Sequence, residues 1–579
     1  MTPALDALAK ESVVFDHAIT VAPLTLPAHA SLLTGAYPPR LGVRDNQVFA
    51  LPADVATYPA ALKQHGYATG AFVSAVVLDH RFGLNRGFDV YDDEIAGPER
   101  AATETLARAE RWIDAAARPF FAWIHLFEPH APYKTGSYEG EVKMADAALG
   151  TFFTHLRDRA LWDKLVVSVT SDHGESLGEH REQTHGFFLY EATLRIPWLL
   201  KAPRVQPEHV SNLVRIVDEM PTILEFAAVD VGRMTPPDGI SLASRRGNRV
   251  DVGEAYSETF LPRDQFGWSP LASVRTDRLK YIEAPRAELY DLAADPAEAV
   301  NLVSARPDDA SRLRRVLAAT MQQPGRTARP QSDPMLSEKL LSLGYIGYSP
   351  AAAGSNASLA DPKDKIDVYN FTMSALELSE NGDLAGALRS VEQAEQLDPN
   401  VAQVQFLKGS LLGQAGRFDQ AVAALERTLA LNPGYTGARF KLALALLRLG
   451  RADRAAEALN EAVREQPNDF RAWHNLAAIA YSRGNLDEAE RLERKALSIS
   501  PDYAEAWNAL GAIAIVRKRP ADAIEALTKA TRLAPQNAQA FQNLALAFQA
   551  AGQMQQARAA ADRACAVDRR FCSSSGGPR

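Results

Sequence analysis

The fold is decided by the stretch Leu165-Val-Val-Ser-Val-Thr-Ser-Asp-His-Gly-Glu175. Its first residues are mostly apolar and β-branched and run into a polar cluster, which predicts a buried parallel strand whose carboxyl end opens into a loop. Ligands collect at such strand ends in open α/β sheets. Asp172 and His173 offer a carboxylate oxygen and an imidazole nitrogen there, a pair that suits Zn²⁺ or Mn²⁺ better than Ca²⁺. Taken alone, however, an Asp-His-Gly triplet is more often a turn than a metal site.

A second hydrophobic stretch places two more histidines near a strand end: Phe120-Phe-Ala-Trp-Ile-His-Leu-Phe-Glu-Pro-His-Ala-Pro-Tyr133. Pro129 and Pro132 cannot continue a central strand, so the pattern predicts a strand that breaks into a loop. His125 falls inside the predicted strand, where a hydrogen-bonded core histidine is as plausible as a catalytic one. His130 falls in the loop, where functional residues concentrate.

The second half of the chain repeats every 34 residues. The period appears in two series: Ala387, Ala421, Ala455, Ala489, Ala523 and Ala557, and Pro399, Pro433, Pro467, Pro501 and Pro535. This period is typical of tetratricopeptide (TPR) repeats, each of which is a pair of helices. We predict six repeats over residues 366–570, stacked into an all-α solenoid with aromatic side chains in the repeat core. Its concave face is expected to bind a protein or peptide.

Small residues are expected at the close contacts within each repeat. Gly409, Ala477 and Gly511 would let the first helix approach the second. The turns between the two helices are expected to carry glycine, because a left-handed backbone costs glycine least. The residues at these turns are Gly382, Gly416, Gly450, Gly484 and Gly552, with Lys518 at the equivalent position of the fifth repeat.

The motif that indicates chemistry is Thr25-Leu-Pro-Ala-His-Ala-Ser-Leu-Leu-Thr-Gly35. It resembles the nucleophile signature of the sulfatases, in the alkaline phosphatase superfamily, but carries Thr25 where that family has a residue that is oxidised to formylglycine. Threonine cannot undergo that oxidation, and His29 replaces the family's arginine. Similarity to related phosphodiesterases and phosphoethanolamine transferases implies instead a Thr25 alkoxide bound to a divalent metal, because a free threonine hydroxyl is a weak nucleophile.

The resemblance also implies the metal ligands. The string Ser171-Asp-His-Gly-Glu-Ser-Leu-Gly-Glu179 is similar to the second metal-binding motif of these families. Asp172 and His173 are therefore expected to bind the metal together with Thr25. The expected ion is divalent, with Zn²⁺ or Mn²⁺ favoured and Ca²⁺ as a further candidate.

The remaining histidines correspond to groups that contact substrate in the family. His130 matches a histidine that touches the sulfuryl or phosphoryl oxygens. His185, in the triplet Thr184-His185-Gly186, matches one that protonates the leaving group or binds its oxygens. Both are expected to be catalytic together with Thr25, whereas His29 and His125 are expected to bind substrate.

The resemblance covers residues 1–305 and implies an α/β domain of alkaline phosphatase type with a mainly parallel sheet. Sulfatases begin with a strand that ends in Asp-Thr or Asp-Asp and supplies metal ligands, whereas this sequence begins at the following helix, near Thr2. We therefore expect the first strand and its ligand to be missing from it. Residues 306–365 are expected to form a linker, with a flexible tether at 351–360, and residues 571–579 a disordered tail.

Composition sets the remaining bounds. The 579 residues are enough for at least two domains, and a net charge of -8 without long like-charge runs argues against a nucleic-acid partner. Cys565 and Cys572, the only cysteines, could pair, but isolated thiols are the expectation. The sequence shows neither a targeting segment nor an apolar run long enough to anchor the chain in a membrane. The family resemblance suggests the periplasm or cell envelope.

The sequence thus favours a metal-dependent hydrolase of sulfate or phosphate esters, joined to a TPR module that binds a protein partner. Thr25 favours a phosphate ester, whereas the overall resemblance favours a sulfate ester. Two alternatives remain open at this point. One is a phosphoethanolamine-type phosphotransferase, and the other is a catalytically inactive scaffold whose repeats bind a partner.

Overall fold

The structure is a computed structural model that describes residues 1–46, 49–230, 237–243, 252–322, 325, 328, 336, 339–340 and 359–572. The chain divides into two compact units. The first comprises Met1–Gln331, Met335–Leu407 and Leu431–Tyr435, and the second comprises Ser332–Pro334, Lys408–Ala430 and Thr436–Arg579. Most of the predicted tether, residues 351–358, and the end of the predicted tail, residues 573–579, lie outside the described residues.

The first 321 residues contain both helices and strands. The helices are α1 (Pro3–Ala9), α2 (Thr25–Thr34), α3 (Pro38–Leu41), α4 (Tyr58–Gln64), α5 (Ala102–Ala115), α6 (Tyr138–Asp158), α7 (Glu191–Leu194), α8 (Glu219–Phe226), α9 (Leu261–Phe266) and α10 (Pro307–Met321). The strands are β1 (Val13–Ile19), β2 (Ala68–Phe72), β3 (Val90–Asp92), β4 (Phe120–Ile124), β5 (Val167–Thr170), β6 (Arg195–Lys201), β7 (Glu208–Arg215), β8 (Ala255–Thr259), β9 (Leu271–Arg275), β10 (Leu279–Glu283) and β11 (Glu288–Asp291).

These strands form three sheets. The first has the order β5-β6-β1-β7, in which β1 is parallel to β7 and antiparallel to β6. The second, β3-β2-β4, is parallel throughout, and the third, β11-β10-β9-β8, is antiparallel throughout. Three of the five strand pairs in the first two sheets are parallel, which confirms the predicted mainly parallel α/β fold.

One strand differs from its prediction. β5 pairs antiparallel with β6, lies at the edge of the first sheet and is half-buried, so the prediction of a buried parallel strand is wrong in direction and depth. β-branched residues favour an extended backbone whichever way the neighbouring strand runs, so the pattern identifies a strand but not its pairing. The polar cluster follows the carboxyl end of β5, as predicted.

The helix that begins with Thr25 lies in the interior of the first unit. All ten residues of α2 are buried, and Leu26 and Leu33 join a core cluster that includes Val73. A helix that is buried on every face lies within the protein core. It ends at Gly35, whose φ of 67° is left-handed and where a Cβ would lie 2.8 Å from Pro237 Cβ. The position of Thr25 is therefore fixed by packing along the whole helix.

Ordered structure extends into the segment predicted as a linker. α10 packs against β9 and β10 and buries Leu313 and Leu317. At the other end of the segment, the Arg286 backbone N–H donates to Asp361 Oδ2 at 3.0 Å. The Arg286 guanidinium also pairs with Asp364 at 2.8 Å. Both described ends of residues 306–365 are thus held by the third sheet and its loops.

The predicted helical repeats are confirmed as twelve helices in six pairs within the described residues. They are α11 (Ile366–Glu380), α12 (Leu384–Leu397), α13 (Ala402–Gln414), α14 (Phe418–Leu431), α15 (Ala438–Arg448), α16 (Ala452–Glu465), α17 (Phe470–Ser482), α18 (Leu486–Ile499), α19 (Ala504–Val516), α20 (Pro520–Leu533), α21 (Ala538–Ala550) and α22 (Met554–Val567). The first unit includes α11 and α12.

The expected roles of the glycines in these pairs are also confirmed. A Cβ on Gly409 would lie 2.7 Å from Leu425 Cγ, and one on Gly511 would lie 2.3 Å from Leu527 Cγ, so both glycines allow two helices to touch. The five predicted turn glycines have φ between 72° and 82°, and Lys518 adopts φ 57° at the equivalent turn. The turn geometry is therefore left-handed in all six pairs.

A disulfide joins Cys565 to Cys572, so the expectation of isolated thiols is wrong. A turn at Arg569–Phe571 folds the chain back onto the end of α22 and brings the two Cα atoms to 4.5 Å, a span that a disulfide can bridge. Phe571, the first residue of the predicted tail, belongs to this turn. Among the described helices, none has the length and hydropathy needed to cross a bilayer.

Candidate active site

Thr25 is the first residue of α2 and is 2% exposed. Leu24 precedes the helix in an extended conformation, and the Leu26 backbone N–H donates to Asn46 Oδ1 at 2.8 Å. The amide dipoles of α2 add up to a partial positive charge at this end, which favours negative charge on a nearby oxygen. The helix dipole at this position therefore favours the deprotonated form of the Thr25 hydroxyl, whereas burial opposes it.

Asp172 and His173 meet Thr25 from the loop that follows β5. His173 Nε2 lies 3.4 Å from Thr25 Oγ1 and 3.4 Å from Asp172 Oδ2. His173 Nδ1 donates to the Gly174 carbonyl at 2.9 Å, so Nε2 of the neutral ring carries the lone pair. Burial lowers the pKa of His173, which keeps the ring neutral, and a neutral imidazole with one N–H bound to a carbonyl is the form that binds metals.

These distances fit two ligands of one tetrahedral metal ion. Ligand atoms bound at about 2.0 to 2.1 Å and separated by a tetrahedral angle lie about 3.3 to 3.4 Å apart. The Thr25–His173 and His173–Asp172 separations both have this value. Burial would raise the pKa of Asp172, but the imidazoles of His173 and His29 outweigh burial and lower it, so the carboxylate is charged. Two of the three separations among the predicted ligands therefore fit a single divalent ion, and the carboxylate carries a charge that such an ion binds.

His29 and His125 lie beside these ligands. His29 Nδ1 donates to the Thr25 carbonyl at 2.9 Å and lies 3.6 Å from Asp172 Oδ2. The His125 ring meets the His29 ring edge-on with the centroids 5.1 Å apart, and His125 Nδ1 accepts a hydrogen bond from the Ser74 backbone N–H at 3.3 Å. Burial, reinforced by His29, lowers the pKa of His125 to about 3, so this ring is neutral.

His185 and His130 lie on the other side of His173. The centroids of the His185 and His173 rings are 4.3 Å apart, and those of His185 and His130 are 5.2 Å apart. His130 Nδ1 donates to the Ala131 carbonyl, and His130 Nε2 is buried with no hydrogen-bond partner among the described atoms. Burial, reinforced by His185, lowers the pKa of His130 to about 4. His130 therefore presents a buried nitrogen with no hydrogen-bond partner among the described atoms.

Three family models match parts of the chain. The model described as Sulfatase matches residues 1–229. The N-terminal part of this chain is a sulfatase-family domain. The model described as N-sulphoglucosamine sulphohydrolase, C-terminal, matches residues 178–324, so the match continues through the third sheet and α10. The model described as Cilia and flagella-associated protein 70 C-terminal domain matches residues 310–574, which contain the helical repeats.

Curated relatives agree with this assignment. Arylsulfatase K of Xenopus laevis is 23% identical over 432 residues, which cover 56% of this chain and 78% of that protein. Choline-sulfatase of Rhizobium meliloti (strain 1021) is 23% identical over 52% of this chain and 77% of that protein. Arylsulfatase K of Gallus gallus is 31% identical, but the match spans only 53% of that protein.

Two of the solved structures that match the chain share little sequence with it. One is a protein in complex with its substrate D-glucosamine-2-N,6-O-disulfate, with a TM-score of 0.47 and 19% identity over 56% of this chain and 93% of that chain. Another is the phosphonate monoester hydrolase of Agrobacterium radiobacter, with a TM-score of 0.47 and 18% identity over 56% of this chain and 91% of that chain.

Contacts connect all seven residues that the sequence nominates in the sulfatase domain. The chain of neighbours runs from His125 through His29 and Asp172 to His173, and from there to Thr25 on one side and to His185 and His130 on the other. Residues from four separate stretches of sequence therefore meet in one place. Their individual roles remain predictions.

Sequence reasoning missed Glu175. Its Oε2 lies 2.7 Å from His185 Nδ1. Burial would lower the pKa of His185, but the Glu175 carboxylate outweighs burial and raises it. Burial would raise the pKa of Glu175, and His185 in turn lowers it. His185 thus holds a proton more firmly than His125, His130 and His173. The signal for Glu175 was present in the motif Ser171–Glu179 itself.

A second group with metal-ligand spacing lies elsewhere in the sulfatase domain. Among the described residues, Asp79, His80 and Asp93 form the one group of three whose ligand atoms all lie within 4.8 Å of one another. Arg81 already binds both carboxylate oxygens of Asp79 at 2.7 Å. A cation at this group would have to compete with a guanidinium, so we do not assign the catalytic metal to it.

Proposed function

We propose that the sulfatase domain hydrolyses phosphate or sulfate monoesters with Thr25 Oγ1 as the nucleophile. The main support is the 3.4 Å separation between Thr25 Oγ1 and the lone-pair nitrogen of His173, at the buried start of a helix. A hydroxyl becomes a useful nucleophile only where its environment favours the deprotonated form. The chemistry that a divalent ion supplies when held by Asp172 and His173 is stabilisation of negative charge on oxygen.

The groups in the site allow a double displacement. Thr25 Oγ1 gives its proton to solvent and attacks phosphorus or sulfur in line, while the bond to the leaving-group oxygen breaks. His185, protonated beside Glu175, donates its proton to that oxygen. A water molecule then attacks the threonyl ester, His185 takes a proton from the water, and Thr25 Oγ1 leaves and is reprotonated. His130 Nε2, buried and unpaired, is the group that we assign to a substrate oxygen.

Two substrate classes have separate support. Threonine in place of the residue that becomes formylglycine favours phosphate esters, and the match of residues 1–229 to the sulfatase model favours sulfate esters. Matched aryl phosphates and aryl sulfates therefore form the first assay. Release of inorganic phosphate or sulfate with no alcohol added would separate hydrolysis from transfer to a second acceptor.

The decisive variant is Thr25→Ala in the full chain, assayed with Zn²⁺, Mn²⁺ or Ca²⁺ and with a chelator. We expect a metal-dependent rate in the wild type and a fall of about 10³-fold or more in the variant, because the nucleophile is lost. Thr151→Ala is the matched control, since Thr151 is exposed and its hydroxyl donates to the Ala147 carbonyl of its own helix. Equal rates in wild type and Thr25→Ala would sink the proposal, and rates equal to the uncatalysed rate in buffer would favour a non-catalytic scaffold.

Acid quenching during turnover gives an independent test. A covalent phosphoryl or sulfuryl group should appear on the peptide that contains Thr25 and should be absent from the Thr25→Ala protein. A phosphoryl or sulfuryl group trapped on another residue would show that this residue, and not Thr25, is the nucleophile.

A further inference from the structure

The first helix of the repeat array belongs to the same compact unit as the sulfatase domain. α11 and the loop that carries His185 both lie in the first unit. The 34-residue period assigns the aromatic residues of α11 to the repeat core. One of them, Tyr369, makes its recorded polar and ring contacts with the sulfatase domain instead, which the period does not predict.

Tyr369 binds the backbone of the proposed general acid. Its hydroxyl donates to the His185 carbonyl at 2.8 Å, and the Thr184 hydroxyl lies 3.2 Å from the same phenolic oxygen. The ring stacks on Phe187 with the centroids 4.5 Å apart, and Tyr369 is 2% exposed. A buried hydrogen bond combined with a ring stack fixes a neighbouring backbone in both distance and direction.

Flanking residues of α11 bind the same loop. Asp367 forms an ion pair with Arg181, and Asn370 Nδ2 donates to the Arg181 carbonyl at 2.7 Å. The helix thus holds the loop at its start as well as at His185. These contacts are exposed, whereas the one from Tyr369 is not, so Tyr369 provides the stronger restraint.

The other restraints on this loop act on neighbouring residues. Thr259 Oγ1 donates to the Gly186 carbonyl at 2.5 Å, and Glu182 accepts from the backbone N–H groups of Phe187 and Phe188 at 2.8 and 3.3 Å. The imidazole of His185 is oriented by the contact between its Nδ1 and Glu175 Oε2. Among the recorded hydrogen bonds, the carbonyl of His185 itself is bound by Tyr369.

We propose that Tyr369 is a positioning residue for the reaction: its bond to the His185 carbonyl sets the imidazole against the leaving-group oxygen. The first repeat helix, α11, then contributes a positioning residue to the sulfatase site. This inference rests on the proposed function, in which His185 protonates the leaving group. It predicts that removal of the Tyr369 hydroxyl lowers kcat, and that kcat falls more for esters whose leaving group needs a proton.

The test is Tyr369→Phe in the full chain, which removes the hydroxyl and keeps the ring stack. Phenyl phosphate needs a proton on its leaving oxygen far more than 4-nitrophenyl phosphate does. We expect kcat to fall about fivefold with phenyl phosphate, the factor that one neutral hydrogen bond contributes. The fall with 4-nitrophenyl phosphate should be less than about twofold, and KM should change little for either ester.

Tyr435→Phe is the matched control. Tyr435 is also a buried tyrosine in the repeat segment, and its hydroxyl bonds Gln403 within that segment. It should leave both rates unchanged. In a His185→Gln background, Tyr369→Phe should have no further effect on kcat, because it acts through His185. Equal losses with both esters, or an additive loss in the double variant, would overturn the inference.

Hydrogen exchange separates this inference from the proposed function. Amides of residues 182–188 should exchange faster in Tyr369→Phe than in the wild type or in Tyr435→Phe, whether or not the protein turns over. Unchanged exchange there refutes the positioning role even if Thr25→Ala abolishes activity. Conversely, full activity in Thr25→Ala refutes the proposed mechanism while faster exchange in Tyr369→Phe still shows that Tyr369 holds the loop.

Discussion

Glu219→Gln should stabilise the sulfatase domain by an amount that grows as the pH rises. Glu219 is the first residue of α8 and is 7% exposed, and its Oε2 is buried without a hydrogen-bond partner among the described atoms. Burial raises the pKa of this carboxyl from 4.5 to about 7, and a hydrogen bond with Ser168 lowers the pKa only in part. The carboxyl is therefore neutral in the folded protein under mildly acidic conditions.

The sign follows from where the proton is bound. Below about pH 4.5, the ordinary pKa, both the folded and the unfolded chain hold the proton and the substitution has little effect. Between that pH and about pH 7 the unfolded chain releases the proton while the folded chain keeps it, so the unfolding free energy of the wild type falls. The total loss is about 3 kcal/mol, at about 1.4 kcal/mol for each pH unit. Glutamine carries no charge at any pH and avoids this loss.

The assay is unfolding in urea at several pH values, and unfolding is measured by hydrogen exchange of peptides from β1 and α8. These peptides belong to the sulfatase domain, so the repeat array does not contribute to the signal. Glu225→Gln, an exposed carboxyl on the same helix, is the control and should show no such trend. The reasoning fails if the difference in unfolding free energy between wild type and Glu219→Gln stays constant from pH 5 to pH 8.

Two further predictions concern the metal and the repeats. Asp172→Asn should weaken Zn²⁺ or Mn²⁺ binding by at least about 100-fold in an indicator titration, because a charged ligand is lost. Asp79→Asn should leave that affinity unchanged. Weaker binding in Asp79→Asn with unchanged binding in Asp172→Asn would assign the metal to Asp79, His80 and Asp93 instead. Gly511→Ala should lower the melting midpoint of the helical signal by an amount that corresponds to about 1 to 3 kcal/mol, since its Cβ would lie 2.3 Å from Leu527 Cγ. Gly413→Ala, where a Cβ meets open space, should instead gain up to about 1 kcal/mol, and a loss of the same size in both would contradict the packing argument.

The repeat array could be predicted almost completely from the sequence, because each helix pair is formed by contacts between residues that are close in the sequence and recur with the same spacing. The spacing of the alanines gives the period, and the turn glycines mark where one helix ends. Less of the α/β domain could be predicted from the sequence. The residues of β5 define a strand, yet its antiparallel pairing with β6 depends on a segment about 30 residues further along the chain. Long-range pairing of this kind leaves no local pattern.

The site shows the same division. Thr25, Asp172 and His173 could be nominated because they belong to short motifs, and the structure brings them within 3.4 Å contacts. Glu175 lies in one of those motifs, but its partnership with His185 requires the loop to fold back. Tyr369 could not be found at all, because the repeat period predicts that an aromatic residue there packs within the repeats. The pairing of Cys565 with Cys572 likewise depended on a turn that two isolated cysteines do not reveal.

The left-handed backbone at Lys518 has a consequence for how the array comes apart. A side chain in that conformation costs about 1 kcal/mol that glycine does not pay, and Lys518 carries it between α19 and α20 with φ 57°. In a linear array each helix pair stabilises only its neighbours, so strain within the fifth pair weakens that pair and the pairs beside it. We expect Lys518→Gly to relieve this strain and to raise the thermal midpoint of the helical circular-dichroism signal. An unchanged or lower midpoint would contradict the argument.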